Sequence, residues 1–232
     1  MKLSEALQNI FFPPRCLCCG EVINKDSVFC EKCLPEIGFT EGECCKVCGI
    51  PLNPHFESPI CARCRSIKPY FERNFPVMEH TGMGRRAVLN VKYGKRSAVP
   101  PAARLIADKL IENKIFPDAV TFVPETDKSK RKRGYSVTEM LSFYTARYLG
   151  AEHIEALEKI RETRKQKELT ASQRKINVRG AYKLKDIHLG KSILIIDDVF
   201  TTGATMNECA KTIKKKFNGK IYTATITIRD RE

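Results

Sequence analysis

The residues best placed to do chemistry lie in one stretch, Ser192 to Thr205, which reads SILIIDDVFTTGAT. Asp197 and Asp198 follow the apolar run Ile193 to Ile196, and paired carboxylates there can accept hydrogen bonds from the vicinal hydroxyls of a ribose. Thr201, Thr202, Gly203, Ala204 and Thr205 come next, where a helix is expected to begin. Successive backbone N–H groups and hydroxyls at a helix N-terminus suit a phosphate dianion. One short segment therefore fits a sugar phosphate. The plainer reading, a strand–turn–helix with solvated acids and threonine caps, is outweighed because strand, acid pair and T-T-G-x-T occur together in that order. Gly190-Lys191-Ser192 is not a P-loop: it precedes the strand, and Lys185 stands where that motif needs glycine.

A second set of chemical residues is the cysteines. Four C-x-x-C pairs occur: Cys16/Cys19, Cys30/Cys33, Cys45/Cys48 and Cys61/Cys64. Two thiolates at that spacing can reach one tetrahedral ion, so two pairs complete a site and four pairs fit two structural Zn²⁺ ions. Gly20 and Gly49, each directly after a pair, permit the positive φ of a tight turn. Joining the first pair to the second and the third to the fourth is simplest; interleaved pairing remains open on the spacing alone. Cys18 and Cys44 each neighbour a ligand and could replace it, and Cys209 reads as a small buried residue of a helix.

These groups need a scaffold. The β-branched run before Asp197 predicts a strand buried on both faces of a parallel sheet. The acid pair is expected to close that strand. Met206, Cys209, Ala210, Ile213 and Phe217 recur at helical spacing after the loop. Ala119 to Pro124 predicts another strand, followed by the cationic loop Lys128 to Tyr135 and a helix over about residues 137–148. Residues 159–185 hold ten basic residues against Glu162 and Glu168, with little apolar periodicity. They predict a mobile loop that closes over an anion. Ile221 to Ile228 predicts a last strand.

Charge divides the 232 residues. Residues 1–70 carry 8 basic and 8 acidic residues, whereas 71–232 carry 33 and 19 and so hold the whole net charge of +14. A cysteine-rich module over 1–70 and an α/β domain over 71–232 are expected. The first is thin in core formers and needs metal to fold. No run approaches the roughly 20 apolar residues of a membrane span, and no long apolar leader is present. A cytoplasmic location is expected, with cysteines used for metal instead of disulfides.

The whole pattern resembles the ComF family, competence-associated proteins with a double zinc ribbon and a type I phosphoribosyltransferase domain. The likeness includes Lys92-Tyr93-Gly94, Val123-Pro124 with Arg133-Gly134-Tyr135, and Thr163-x-x-Gln166-x-x-Leu169 with Arg174-x-x-Asn177-x-x-Gly180-Ala181-Tyr182. Two dipeptides depart from the family pattern. Ser136-Val137 replace Asn-Gln, and Glu125-Thr126 replace Leu-His. The resemblance implies a phosphoribosyltransferase-like parallel sheet flanked by helices. It implies phosphoribosyl pyrophosphate (PRPP) bound with Mg²⁺, with Thr201 to Thr205 on the 5-phosphate and Asp197 and Asp198 on the ribose. Glu125, Thr126, Asp127 and Lys128 would approach the pyrophosphate, and Arg164 and Lys167, in a hood from Arg161 to Arg174, would stabilise the leaving group. Two functions follow: phosphoribosyl transfer to an unidentified nitrogenous acceptor, or a non-catalytic factor that binds nucleotide and single-stranded DNA beside a competence helicase.

Overall fold

The computed structural model describes residues 13–229 apart from 54, 56, 127–129, 132 and 164–169. Five strands form one fully parallel sheet: β1 (Arg73–Glu79), β2 (Ala119–Phe122), β3 (Glu152–His153), β6 (Ser192–Phe200) and β7 (Lys220–Ile228), in the order β1-β7-β6-β2-β3. A separate antiparallel pair, β4 (Leu157–Lys159) and β5 (Tyr182–Leu184), brackets the basic segment. The helices are α1 (Ala62–Arg65), α2 (Gly82–Tyr93), α3 (Val99–Glu112), α4 (Val137–Leu149), α5 (Ala171–Val178) and α6 (Ala204–Lys214).

Both faces of β6 are covered, as its apolar run requires. Because side chains alternate along a strand, Leu194 and Ile196 join one core with α2, α3 and α4. Ile193 and Ile195 join a second core with α6 and the β4–β5 pair. The α/β class, with helices on a parallel sheet and a cysteine module ahead of it, is the one the sequence predicts.

The cysteine module is divided between these cores. Cys16, Leu17, Cys18, Phe29, Cys33 and Ile37 pack into the first. Cys45, Cys48, Ile50, Cys64 and Phe71 pack into the second. Each ribbon thus rests on its own face of the sheet.

Two elements differ from expectation. β6 does not stop at the acid pair but runs on through Phe200, because β7 continues to pair with it as far as Phe200 opposite Ile228. The basic segment contains the helix α5. A capping box starts it: the Thr170 hydroxyl accepts from Gln173 N–H, and the Gln173 side chain accepts from Thr170 N–H.

Candidate functional site

Chain connectivity alone locates a crevice. β2 leads through α4 to β3 on one side, and β6 leads through α6 to β7 on the other, although β2 and β6 are neighbours. Where crossovers depart in opposite directions, the strand ends part and leave a ligand site. Asp197 and Asp198 rise from β6 at that point, and Glu125 and Thr126 follow β2.

Beside the acid pair lies the threonine loop. Thr201, Thr202 and Gly203 form a bend, and Ala204 and Thr205 begin the first turn of α6. Gly203 is the N-cap, with φ of 73° and no side-chain cap. A Cβ there would lie 2.5 Å from Phe200 Cζ, so only glycine lets the loop lie flat on that ring. The Thr202 hydroxyl accepts from Ala204 N–H at 3.4 Å. The N-terminal amides of an eleven-residue helix thus open toward the crevice rim.

Cations and acids interleave across the crevice. Lys92, near the end of α2, pairs with Asp198 at 2.7 Å, and Arg133 pairs with Glu125 at 2.5 Å. The Asp197 carboxylate accepts from Asp198 N–H at 2.9 Å. Lost hydration pushes the Asp197 carboxyl up to about 8, with Asp198 adding to the rise. Burial likewise raises Glu125, offset in part by Arg133. Lys159, from β4, donates to the Thr163 hydroxyl at 3.0 Å, and burial lowers its pKa. An acid cluster held between fixed cations suits a ligand that carries both hydroxyls and anionic groups. Its carboxylate oxygens are also suitable donors for Mg²⁺.

The described part of the basic segment is fastened to its surroundings. Arg161 donates to the carbonyls of Asn177 and Arg179, both at 2.9 Å, and Gly180 N–H donates to Glu208 on α6 at 2.8 Å. Arg174 is buried. Ser136, at one of the departing positions, is the N-cap of α4 and accepts from Glu139 N–H.

Asp197, Asp198 and Glu125 therefore lie close enough to interact, with Thr126 directly after Glu125 and the threonine loop directly after β6. Asp127, Lys128, Arg164 and Lys167 lie outside the described residues. Lys92 and Arg133 belong to motifs visible in the sequence, but their ion pairs are tertiary. Lys159 had no individual signal within its charge run.

The cysteines form two groups in series: Cys16, Cys19, Cys30 and Cys33, then Cys45, Cys48, Cys61 and Cys64. Within each, the four sulfurs lie within 4.8 Å of one another. The Cys19–Cys30 and Cys48–Cys61 sulfur separations are 3.7 and 3.8 Å. A tetrahedral ion with Zn–S bonds of about 2.3 Å requires edges of about 3.8 Å, so both groups fit Zn²⁺. Neither Cys18 nor Cys44 joins a group among the described residues. Their thiols lie 3.5 Å from the carbonyls of Met83 and Glu41 respectively. Cys209 is fully buried in α6.

A double zinc ribbon domain matches residues 7–65. The DNA utilization protein YhgH of Salmonella typhi is 30% identical over 174 residues, spanning 72% of this chain and 76% of that protein. Competence protein F of Haemophilus influenzae is 31% identical over 104 residues, 43% of this chain and 45% of that one. Among solved structures, a purine phosphoribosyltransferase from Pyrococcus horikoshii aligns over 57% of this chain and 86% of its own. The TM-score is 0.29 at 17% identity, a slight likeness. No helix among the described residues is long and apolar enough to cross a membrane.

Proposed function

The chain belongs to the ComF family, and from that premise we propose that it binds PRPP with Mg²⁺ in a phosphoribosyltransferase-type site that serves DNA uptake or utilization. One observation carries the reading. The acid pair of β6 and the Thr201–Thr205 turn share the crevice between β2 and β6 with Lys92 and Arg133.

Each group has a task there. The amides of the turn hold the 5-phosphate, and Asp197 and Asp198 accept from the ribose hydroxyls. The carboxylates of this cluster would hold Mg²⁺, which would neutralise charge on the diphosphate. Arg133 and Lys92 are the described cations that can exchange their carboxylate partners for diphosphate oxygens. As the bond between C1 and the leaving oxygen lengthens, negative charge accumulates on the diphosphate, and fixed cations in a partly dry crevice stabilise it. Glu125 would repel a diphosphate by itself; its ion pair with Arg133 reduces that repulsion. The acceptor is a nitrogenous nucleophile of unassigned structure.

Calorimetry with PRPP and Mg²⁺ tests this directly. Saturable binding to the wild type, lost when both acids are replaced (Asp197→Asn with Asp198→Asn), is expected. A flat titration of zinc-loaded wild-type protein would sink the reading.

A second reading, a non-catalytic factor binding nucleotide and single-stranded DNA with a helicase partner, is favoured by the relatives' roles and by one surface feature. Tyr93 is 66% exposed, close in sequence to Arg96, whose guanidinium stacks on Tyr135 at 4.6 Å. Exposed aromatics among cations suit unpaired bases. Affinity for single strands should then fall steeply with salt, and a salt-independent result removes this reading.

A further inference from the structure

One matched position that distinguishes the two ribbons is the third residue of their second C-x-x-C pair. In the first ribbon this is Lys32, whose side chain is 85% exposed and lies 4.0 Å from Glu21. In the second it is Arg63, within α1, and it reaches the threonine loop. Arg63 Nη1 donates to the Thr201 carbonyl at 3.0 Å across 138 residues of chain, and its guanidinium stacks over the Phe200 ring at 5.9 Å. Phe200 is the same ring on which Gly203 rests. The other face of this contact is the metal site. Arg63 stands between Cys61, the N-cap of α1, and Cys64 within that helix, both members of the second sulfur group. Arg63 Nη2 is buried with no hydrogen-bond partner among the described residues.

One residue therefore stands between two cysteines of the sulfur group and reaches, through its guanidinium, the carbonyl that opens the phosphate-type turn. Four thiolates around Zn²⁺ would leave a net charge near −2, which would attract a guanidinium carried on the same short helix. The fixed guanidinium in turn fixes Thr201 and brings positive charge toward the loop. Phe71, at 6.2 Å edge-on to Phe200, and the bond from Tyr70 N–H to Asn207 at 2.8 Å fasten the same ribbon to β6 and α6. The first ribbon packs in the other core, against α2, α3 and α4.

We propose that Arg63 is a positioning residue for the Thr201–Thr205 turn, so that metal held by Cys45, Cys48, Cys61 and Cys64 and a sugar phosphate held by that turn stabilise one another. This rests on the reading of the turn as a ribose-phosphate site. Coupling between two binding sites is reciprocal, which gives two independent readouts.

The first is calorimetry of the full-length, zinc-loaded chain with ribose 5-phosphate. Arg63→Ala should weaken binding about tenfold, within the usual range for coupled sites. Arg63→Lys, which keeps the charge, should recover part of the loss, and Lys32→Ala should change nothing. All variants should retain two zinc ions. The second readout is chelator-driven zinc release from the wild type, where ribose 5-phosphate should slow release of one of the two ions several-fold and leave the other unchanged. This holds even if the alanine variant does not fold. Binding indifferent to Arg63, an equal effect from Lys32→Ala, or zinc release indifferent to the ligand would each overturn the proposal while leaving the site reading intact. Wild-type protein that takes up no ribose 5-phosphate would overturn both.

Discussion

In the first ribbon, Cys16 N–H donates to Glu21 at 2.8 Å and Gly20 N–H to Cys16 at 2.9 Å; in the second, Cys45 donates to Ile50 and Gly49 to Cys45 at the same two distances. Gly20 and Gly49 have φ of 77° and 76°. Even the anchoring device repeats: Asn90 donates to the Leu17 carbonyl at 3.1 Å, and Asn74 to the Cys48 carbonyl at 3.0 Å. The surroundings do not repeat. A Cβ on Gly20 would meet nothing within 4 Å, whereas on Gly49 it would lie 2.3 Å from Pro76 Cδ and 2.7 Å from the Asn74 carbonyl. A knuckle that closes round a metal needs only its own backbone. What it does beyond holding metal depends on which side chains face the rest of the chain.

Metal loss should give the largest effect in either ribbon. Cys16→Ser and Cys45→Ser each remove a fully buried ligand. Taking about 4–5 kcal/mol for a lost metal site and 2–4 °C per kcal/mol at this size, each should lower Tm by about 8–20 °C in a thermal melt. Only Cys45→Ser should also weaken ribose 5-phosphate binding; equal weakening by both would erase the distinction between the ribbons.

Glycine replacement should separate them next. Gly20→Ala faces only the left-handed backbone cost of about 1–2 kcal/mol. Gly49→Ala adds a backbone collision and should cost at least about 2 kcal/mol more, the scale of an overpacked core, read from denaturant midpoints. Similar values for both would mean that β1 gives way easily.

The asparagine anchors should differ by less. Asn74 is fully buried and also accepts from the Thr223 hydroxyl at 2.9 Å. Its replacement by alanine leaves buried partners and should cost about 2–3 kcal/mol, against about 1 kcal/mol for Asn90→Ala.

An effect of another kind is one of pH, and it belongs to the second ribbon's side of the sheet, where Asp197 follows Ile193 and Ile195 on one face of β6. An unfolded Asp releases its proton near pH 4, but folded Asp197 keeps it to about 8. The folded chain binds more protons between those values, so stability should decline as pH rises through that window. Asp197→Asn should flatten the decline. A slope that survives the substitution assigns it to another group.

Features specified by neighbouring residues could be read from sequence. The cysteine pairs, the apolar run of β6 and the threonine turn all lie within a few residues of their partners. Local signals also included the Thr170–Gln173 cap of α5, hidden because charge dominated that segment. The reach of β6 to Phe200 depends on β7, and the Lys92–Asp198 pair joins residues more than 100 positions apart. The Arg63 contact has no sequence signature, since Lys32 and Arg63 look interchangeable until one is seen docked. Such pairings arise from how separate elements pack, and a single chain pattern does not encode them.

The Arg63–Thr201 contact also has a consequence for biosynthesis. Both knuckles leave the ribosome before the sheet does, and their local backbone bonds allow them to capture metal at once. The surface that the second one covers does not exist until β6 and α6 are made, 138 residues after Arg63. Until then its apolar side, with Ile50 and Phe71, has no partner and is open to aggregation. The metalated knuckle must wait as a loaded latch, and closing it is among the last long-range events of folding.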